Sequence, residues 1–498
     1  MTDTTDVTEH ETVTEEPDPR RWLALAVIAV AQLMVVLDAS IVTIALPSAQ
    51  HSLHISTGSR QWVITAYTLT FGGFLLLGGR IADYVGRKRM FIIGLLGFAT
   101  ASALGGLAQN GAMLFASRAL QGGMAALLAP AALSLITVTF TEVHERAKAF
   151  GVYGAIAGSG AAIGLIMGGI LTQYASWRWC LLVNVPIAVI TALAATRLVR
   201  ESRAHGNTSY DIPGTLTVTA GLASLVYGFT KAESDGWGST VTIAFLAVAV
   251  VLLVSFVLIE VRSKNPLLPM RVILNRNRGG SYLGAFLVGA GMFGMFLFLT
   301  YYFQGTLGYS ALKSGFAFLP FSAGIIIAAT VASKLVPKFG PRPIMIIGFL
   351  VGGAGMVWLT QIGVDTTYLG SVLPAEVLMS LGLGFAFVPM SSTALFGVGN
   401  HDAGVSSALI NANQQIGGSL GTALLNTIAA SATTAYLVGR VPSKATVAAA
   451  QVHGYTVGFW VASGFLFAAA LSAIFLVKAT KADMLALSAE ASAAPAMA

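Results

Sequence analysis

Apolar residues along this chain gather in runs of 18 to 27, separated by short polar stretches. Runs of that length are too long for strands and suit helices that cross a bilayer. Fourteen are read, at 22–47, 61–79, 90–108, 111–138, 148–171, 179–197, 213–230, 240–260, 280–303, 315–333, 343–361, 369–396, 404–430 and 454–477. The pattern predicts an all-α polytopic membrane protein. The segments before and after these runs, 1–20 and 479–498, lack apolar periodicity and read as disordered tails.

Composition agrees with the pattern. Of 498 residues, 55% are hydrophobic and only 10% charged, against about a quarter charged in a typical soluble domain. The single cysteine, Cys180, allows no internal disulfide. Seven acidic residues fall in the first 18 positions, so residues 20–498 carry a net +14. That excess lacks the aromatic interleaving of a nucleic-acid surface and reads instead as charge on one membrane face. With fourteen spans both termini share a side, and that side holds 21 of the 28 Lys and Arg against 6 opposite. The asymmetry predicts cytoplasmic termini.

An internal repeat shows where Gly79 to Arg89 (GRIADYVGRKR) joins spans two and three. Shifted by 254 residues, Ser333 to Arg342 (SKLVPKFGPR) joins spans ten and eleven. The expected organisation is therefore a six-span half at 21–200, an extra pair within 201–278, and a second six-span half at 279–478. Transporters are commonly built this way, with substrate held near the midplane between the halves.

Few charges lie inside spans, and each is costly enough to suggest a function. Asp38 sits in span one, roughly 13 Å from its outer end, and Arg118 roughly 10 Å down span four. The two are expected in one solvated network, not necessarily in contact. Glu376 in span twelve, one position from the counterpart of Arg118, is a second proton or cation candidate, or the rim of an outer vestibule. Ser407, Asn411, Gln414, Gln415, Gly418 and Thr422 recur at helical spacing in span thirteen and make a polar face. That face is expected to line a cavity or an interhelical contact; in the first case, with Tyr67, Trp62 and Tyr153, it makes an amphipathic pocket for greasy substrates, including cations held over aromatic rings.

Enzymatic signatures fail on context. Gly417-Gly418-Ser419-Leu420-Gly421 matches G-x-S-x-G but lies inside an apolar span, and His144-Glu145 lacks its second histidine because Lys148 stands there. No ATP-binding loop, metal-ligand cluster or cofactor motif is found. Transport must then draw on an ion gradient or run downhill, and a proton crossing 100 mV supplies about 2.3 kcal/mol.

Several motifs now stand in order: Leu37 to Pro47 (LDASIVTIALP), Gly79 to Arg89, Arg118-Ala119-Leu120-Gln121-Gly122-Gly123, Trp177-Arg178-Trp179 with Asn184-Val185-Pro186, Gly236-Trp237-Gly238, Asn265 to Pro269 (NPLLP), and Gln304 followed by Leu307 to Leu312 (LGYSAL). Together they make the chain resemble, from residue 22 to about 477, the fourteen-helix drug:proton antiporter family of the major facilitator superfamily. The resemblance implies proton-coupled export of hydrophobic or cationic drugs, dyes or toxic metabolites across the bacterial cytoplasmic membrane by alternating access. Export or flipping of lipids, or of one natural product, is the alternative. The expected partners are a small substrate, protons and membrane lipids, with the protein acting as a monomer.

The resemblance also assigns roles. Asp38, Arg118 and Glu376 become proton-coupling candidates. Asp83, Arg87, Gly79 and Gly86 become a gate in which Asp83 binds a facing helix N-terminus in one state, with Lys88, Arg89, Glu142 and Glu145 as neighbours. Gly160, Gly164, Gly168 and Gly169 stand in span five where the family has its antiporter motif, without its proline, and their spacing suits close helix packing.

Overall fold

The computed structural model describes residues 19–140, 142–203, 211–263, 266, 270–396, 403–441 and 443–482. Residues 1–18 and 483–498 of the tails, most of the 265–269 motif and the side chain of Ser407 therefore lie outside the described residues. Each predicted apolar run falls in helix. The N-terminal half comprises α1 (Arg21–Ser52), α2 (Trp62–Val85), α3 (Arg87–Gly106), α4 (Gly111–Thr139), α5 (Val143–Tyr174) and α6 (Trp179–Leu198, interrupted at Val183). The extra pair is α7 (Ile212–Asp235) and α8 (Thr240–Arg262). The C-terminal half comprises α9 (Arg276–Thr306), α10 (Ala311–Phe339), α11 (Pro341–Leu359), α12 (Tyr368–Ala394), α13 (Ala403–Leu437) and α14 (Lys444–Leu476).

Among the described residues, twelve of these helices are long and apolar enough to cross a membrane. The other two expected spans lie in α5 and α13, helices of 32 and 35 residues. The helices outrun the apolar runs that announced them. The last, for example, begins ten residues before the predicted 454, capped by the Ser443 side chain, which accepts from Thr446 N at 3.0 Å. Polar first turns extend helices beyond the apolar band, and hydropathy does not register them.

Packing repeats with the sequence. In the first half α1 packs on α5 and α6, α2 on α4, and α3 on α4 and α6; the same pairs recur eight helices later, from α9 with α13 and α14 to α11 with α12 and α14. Glycines permit the close approaches: a Cβ at Gly122 of α4 would collide with the Tyr67 carbonyl of α2. The repeat also conserves a backbone need. Gly86 (φ +129°) and Gly340 (φ +84°) end the helices of their respective loops in conformations that side chains disfavour.

The two halves meet along equivalent seams, α2 with α13 and α5 with α10, and α7 lies over the first of them. Partner α8 packs on α7 and is otherwise peripheral, with 17% of its apolar window buried against 67% for α2. We call the side carrying the termini the near side and its opposite the far side. Besides a bond inside the α2–α13 seam, from Ser419 Oγ to Thr65 O at 3.3 Å, the halves are joined toward the far side: Gln304 Nε2 donates to Ile44 O at 3.0 Å, Arg60 Nε to Asn426 Oδ1 at 3.1 Å, Leu312 N to Gln173 Oε1 at 3.3 Å, and Tyr301 Oη to Gln50 Oε1. The far side is closed by contact.

Candidate functional site

Asp38 lies midway along α1 on the face turned toward α3, α4 and α6, and is fully buried. Its Oδ2 accepts from Arg118 Nη1 at 2.6 Å. Its Oδ1 accepts from Gln121 Nε2 at 2.7 Å and Asn184 Nδ2 at 2.8 Å. Ser102 Oγ of α3 sits beneath, 2.7 Å from the Gln121 amide. The guanidinium is held in turn: Nε donates to Val63 O at 3.0 Å, Nη1 also reaches Gln121 Oε1, and its carbon lies 4.4 Å from the Tyr67 ring centroid. The two charges are in direct contact, which the sequence left open, and both are buried where a solvated network was expected.

This arrangement follows from helix periodicity. Arg118 and Gln121 are three apart on α4 and share a face, while Asn184 opens the second segment of α6 just after the Val183 break. Sequence reasoning quoted Gln121 and Asn184 inside motifs without seeing that both serve Asp38. Each lacks the recurrence along its helix that makes a polar face visible in span thirteen.

Chemically, every side chain that touches Asp38 is a donor. An ionised carboxylate has only acceptor positions to offer, so the site as built fits that form. A proton added to Asp38 removes the negative charge that holds the Arg118 guanidinium, so the ion pair between α1 and α4 weakens.

Glu376 sits elsewhere, in the second turn of α12 toward the far side. It is buried, not at the rim of a water-exposed vestibule. Its Oε2 accepts from Tyr368 Oη at 3.3 Å, a long contact, and Oε1 has no described partner. Tyr368 also donates to Ala317 O at 2.7 Å, and it belongs to a π-helical turn, Tyr368–Val372. Such turns are frequent at functional positions.

The expected cavity residues separate. Tyr67 is 1% exposed beneath Arg118, which makes it part of the Asp38 pocket and not of an open wall. Tyr153 is half-buried and donates to Gln32 Oε1 at 2.7 Å, joining α5 to α1. Asn411 is exposed, and Gln414 and Gln415 are half-buried. The backbone of Gln414 packs on Gly289 and the Gln415 side chain on Gly72. Of the α5 glycines, Gly160 faces Val36 and Leu33, Gly164 faces Leu37 and Ser40, and Gly168 faces Ile41, so three of them back the turn of α1 that carries Asp38. Gly169 faces Leu312 of α10 instead.

The near-side loop differs from expectation in its partners. Asp83 pairs with Arg87 at 2.8 Å, four residues on. The start of α3 is taken by Glu201, whose Oε1 accepts from Lys88 N at 3.1 Å and whose Oε2 lies 3.6 Å from Arg89 Nε. A Cβ on Gly86 would come within 2.8 Å of that carboxylate, a second reason for glycine there. Glu145 leaves this group and pairs with Arg21 at 2.8 Å, and Glu142 is exposed. Gly79 packs against Pro130. Glu201 lies in the linker after α6, where no motif pointed to it. Glu201→Ala is expected to cost about 1 kcal/mol, the size of a lost helix cap, and to speed amide exchange at the start of α3 in hydrogen-exchange mass spectrometry. Unchanged exchange there would show that the contact contributes nothing.

The sequence pattern of the Major Facilitator Superfamily matches residues 28–422. The chain belongs to that superfamily. It is therefore a multi-pass membrane transporter, not an enzyme. It is 50% identical over 464 residues to the puromycin resistance protein pur8 of Streptomyces alboniger, covering 93% of this chain and 92% of that one. Identity to the cephamycin export protein CmcT of Amycolatopsis lactamdurans is 38%, over 82% of this chain and 85% of that one. The tetracenomycin C resistance and export protein of Streptomyces glaucescens is 33% identical over 83% and 76%. Among solved structures, a bacterial homolog of the human lysosomal transporter Spinster, in an inward-facing conformation, superposes with a TM-score of 0.66 at 15% identity, over 94% of this chain and 99% of that one. The xylose transporter XylE from E. coli, inward open, gives 0.61 over 94% and 99%. These two share the fold.

Proposed function

We propose that this transporter exports antibiotic-like hydrophobic or cationic compounds from the bacterial cytoplasm, driven by inward proton movement through Asp38. The reading rests on relatives whose names are those of resistance and export proteins and, for the coupling, on the donor-only surroundings of Asp38. Protonation there removes the charge that holds Arg118 and so loosens the tie between α1 and α4. The proton thus acts on the packing of the first half while substrate occupies the space between halves.

The excess of Lys and Arg on the near side supports cytoplasmic termini in the cytoplasmic membrane. On that orientation the contacts of the far side close the protein to the outside, which leaves it poised to load from the cytoplasm. The fourteen-crossing organisation, two six-helix halves around the α7–α8 pair, and a monomeric working unit complete the proposal. Asp83 and Arg87 act as the near-side gate, exchanging partners as the halves rock.

Purified protein in liposomes tests this with ethidium or puromycin and an imposed pH gradient. Uptake that follows the gradient supports coupled export of compact drugs. Movement of a fluorescent lipid indifferent to the gradient would overturn it in favour of lipid transport. Glu376 serves as a second proton site in this reading. Glu376→Gln is expected to lower gradient-driven uptake about tenfold, roughly 1.4 kcal/mol in the driven step, while downhill exchange of labelled substrate continues. Equal loss of both activities would remove Glu376 from the coupling path.

A further inference from the structure

Arg60, just before α2, is a buried cation, 6% exposed, whose described partners are all neutral. Its Nε donates to Asn426 Oδ1 of α13 at 3.1 Å, and its guanidinium carbon lies 3.9 Å from the ring centroid of Tyr301 on α9. The Asn426 amide extends the contact, donating to Gln61 Oε1 at 2.9 Å and to Thr57 O at 3.2 Å. Gln61 then donates to Thr230 Oγ1 of α7 at 3.2 Å, and Thr427 Oγ1 donates to Phe229 O at 2.9 Å. One group of side chains thus joins the first half, the second half and the extra pair where α7 lies over the seam.

Two physical points give this group a role. A buried guanidinium normally carries a carboxylate partner, because removing a charge from water is expensive unless a countercharge and full hydrogen bonding compensate. At the position where such a carboxylate would sit, this chain has the neutral isostere asparagine. The contact also spans both halves, so any motion that opens the far side must separate Arg60 from Asn426. We propose that Arg60 and Asn426 are positioning residues forming a far-side clasp, and that the absent countercharge keeps the clasp weak enough to release in each transport cycle. Thr230 and Phe229 give the α7–α8 pair its part: they hold α7 across the seam while the clasp is shut.

The proposal rests on the alternating-access reading above, and its test is conformational so that the two can fail separately. Spin labels at Ser52→Cys, at the far end of α1, and Val438→Cys, just beyond α13, report the far-side separation of the halves; both positions are exposed, and the native Cys180 is buried. Asn426→Asp and Asn426→Leu are nearly the same size. The aspartate supplies the missing countercharge and is expected to hold the far side at its short distance, slowing liposome transport about tenfold. The leucine deprives Arg60 of its acceptor and is expected to shift the population to the long distance. Arg60→Gln added to Asn426→Asp should release the lock, which decides the matter even if the leucine variant fails to fold. A single fixed distance in the wild type under all conditions would overturn alternating access and the clasp with it. A mobile wild type whose variants shift the same way, or not at all, would overturn the clasp alone.

Discussion

Asp38→Asn is expected to abolish gradient-driven export and to destabilise the protein by about 3–5 kcal/mol, the cost of leaving one member of a buried ion pair without its partner. Asparagine keeps the shape of the side chain and removes its charge. Arg118, 2% exposed, would then rest on the Val63 carbonyl, the Gln121 amide oxygen and the Tyr67 ring, all neutral. Loss of activity in that variant would by itself say little, because a poorly packed first half also fails to transport. The double variant Asp38→Asn with Arg118→Gln separates the two effects. Removing both charges eliminates the uncompensated cation, so thermal unfolding in detergent should recover most of the wild-type stability. Gradient-driven uptake in liposomes should stay absent, because the carboxylate that takes the coupling proton in the first half is gone while Glu376 alone does not drive the cycle. Uptake that survives in Asp38→Asn would end the claim that this carboxylate couples transport. A double variant as unstable as the single one would show that the pair does not account for the loss.

Much of this could be read along the chain, and the limits have physical causes. Apolar runs located the helices because a bilayer demands them. The repeat around Gly86 and Gly340 was legible because both loops require the same backbone. Depth arithmetic brought Asp38 and Arg118 to one level, but it carried no rotational information and so left contact open. Gln121, Asn184 and Ser102 were invisible as a site because they stand on three different helices, and spacing along one helix cannot bring them together. Arg60 was counted only as a loop charge, since its burial depends on α13 arriving from more than 360 residues away. Tyr67 and Glu145 show the converse error: residue type suggested a cavity wall and a gate, and packing assigned them to Arg118 and Arg21.

Gly164→Val is expected to disable the protein as severely as loss of Asp38, by a route that leaves every charge in place. A Cβ at Gly164 would fall 2.8 Å from the Leu37 carbonyl oxygen and closer still to Ser40 Oγ. One turn further along α5, a Cβ at Gly168 would meet Ile41 O at the same 2.8 Å. Backbone lies on both sides of that contact, so no side chain can swing away, and the two helices must separate. Overpacking costs typically 1–3 kcal/mol where side chains yield, and a backbone collision sits at or above the top of that range. Leu37, Ser40 and Ile41 bracket Asp38, so a shift of α1 away from α5 also moves the carboxylate relative to Arg118 and Asn184. Gly169→Val, whose neighbours are Ala311 and Leu312 of α10, disturbs the seam between halves and should leave the Asp38 pocket intact. The two variants are therefore expected to differ in kind: Gly164→Val lowers thermal stability and abolishes both driven and downhill transport, whereas Gly169→Val retains the stability of the first half and alters the far-side separation of the halves. Wild-type stability in Gly164→Val would mean that α1 and α5 are free to part without cost, and that the glycine spacing in α5 does not hold the coupling site in place.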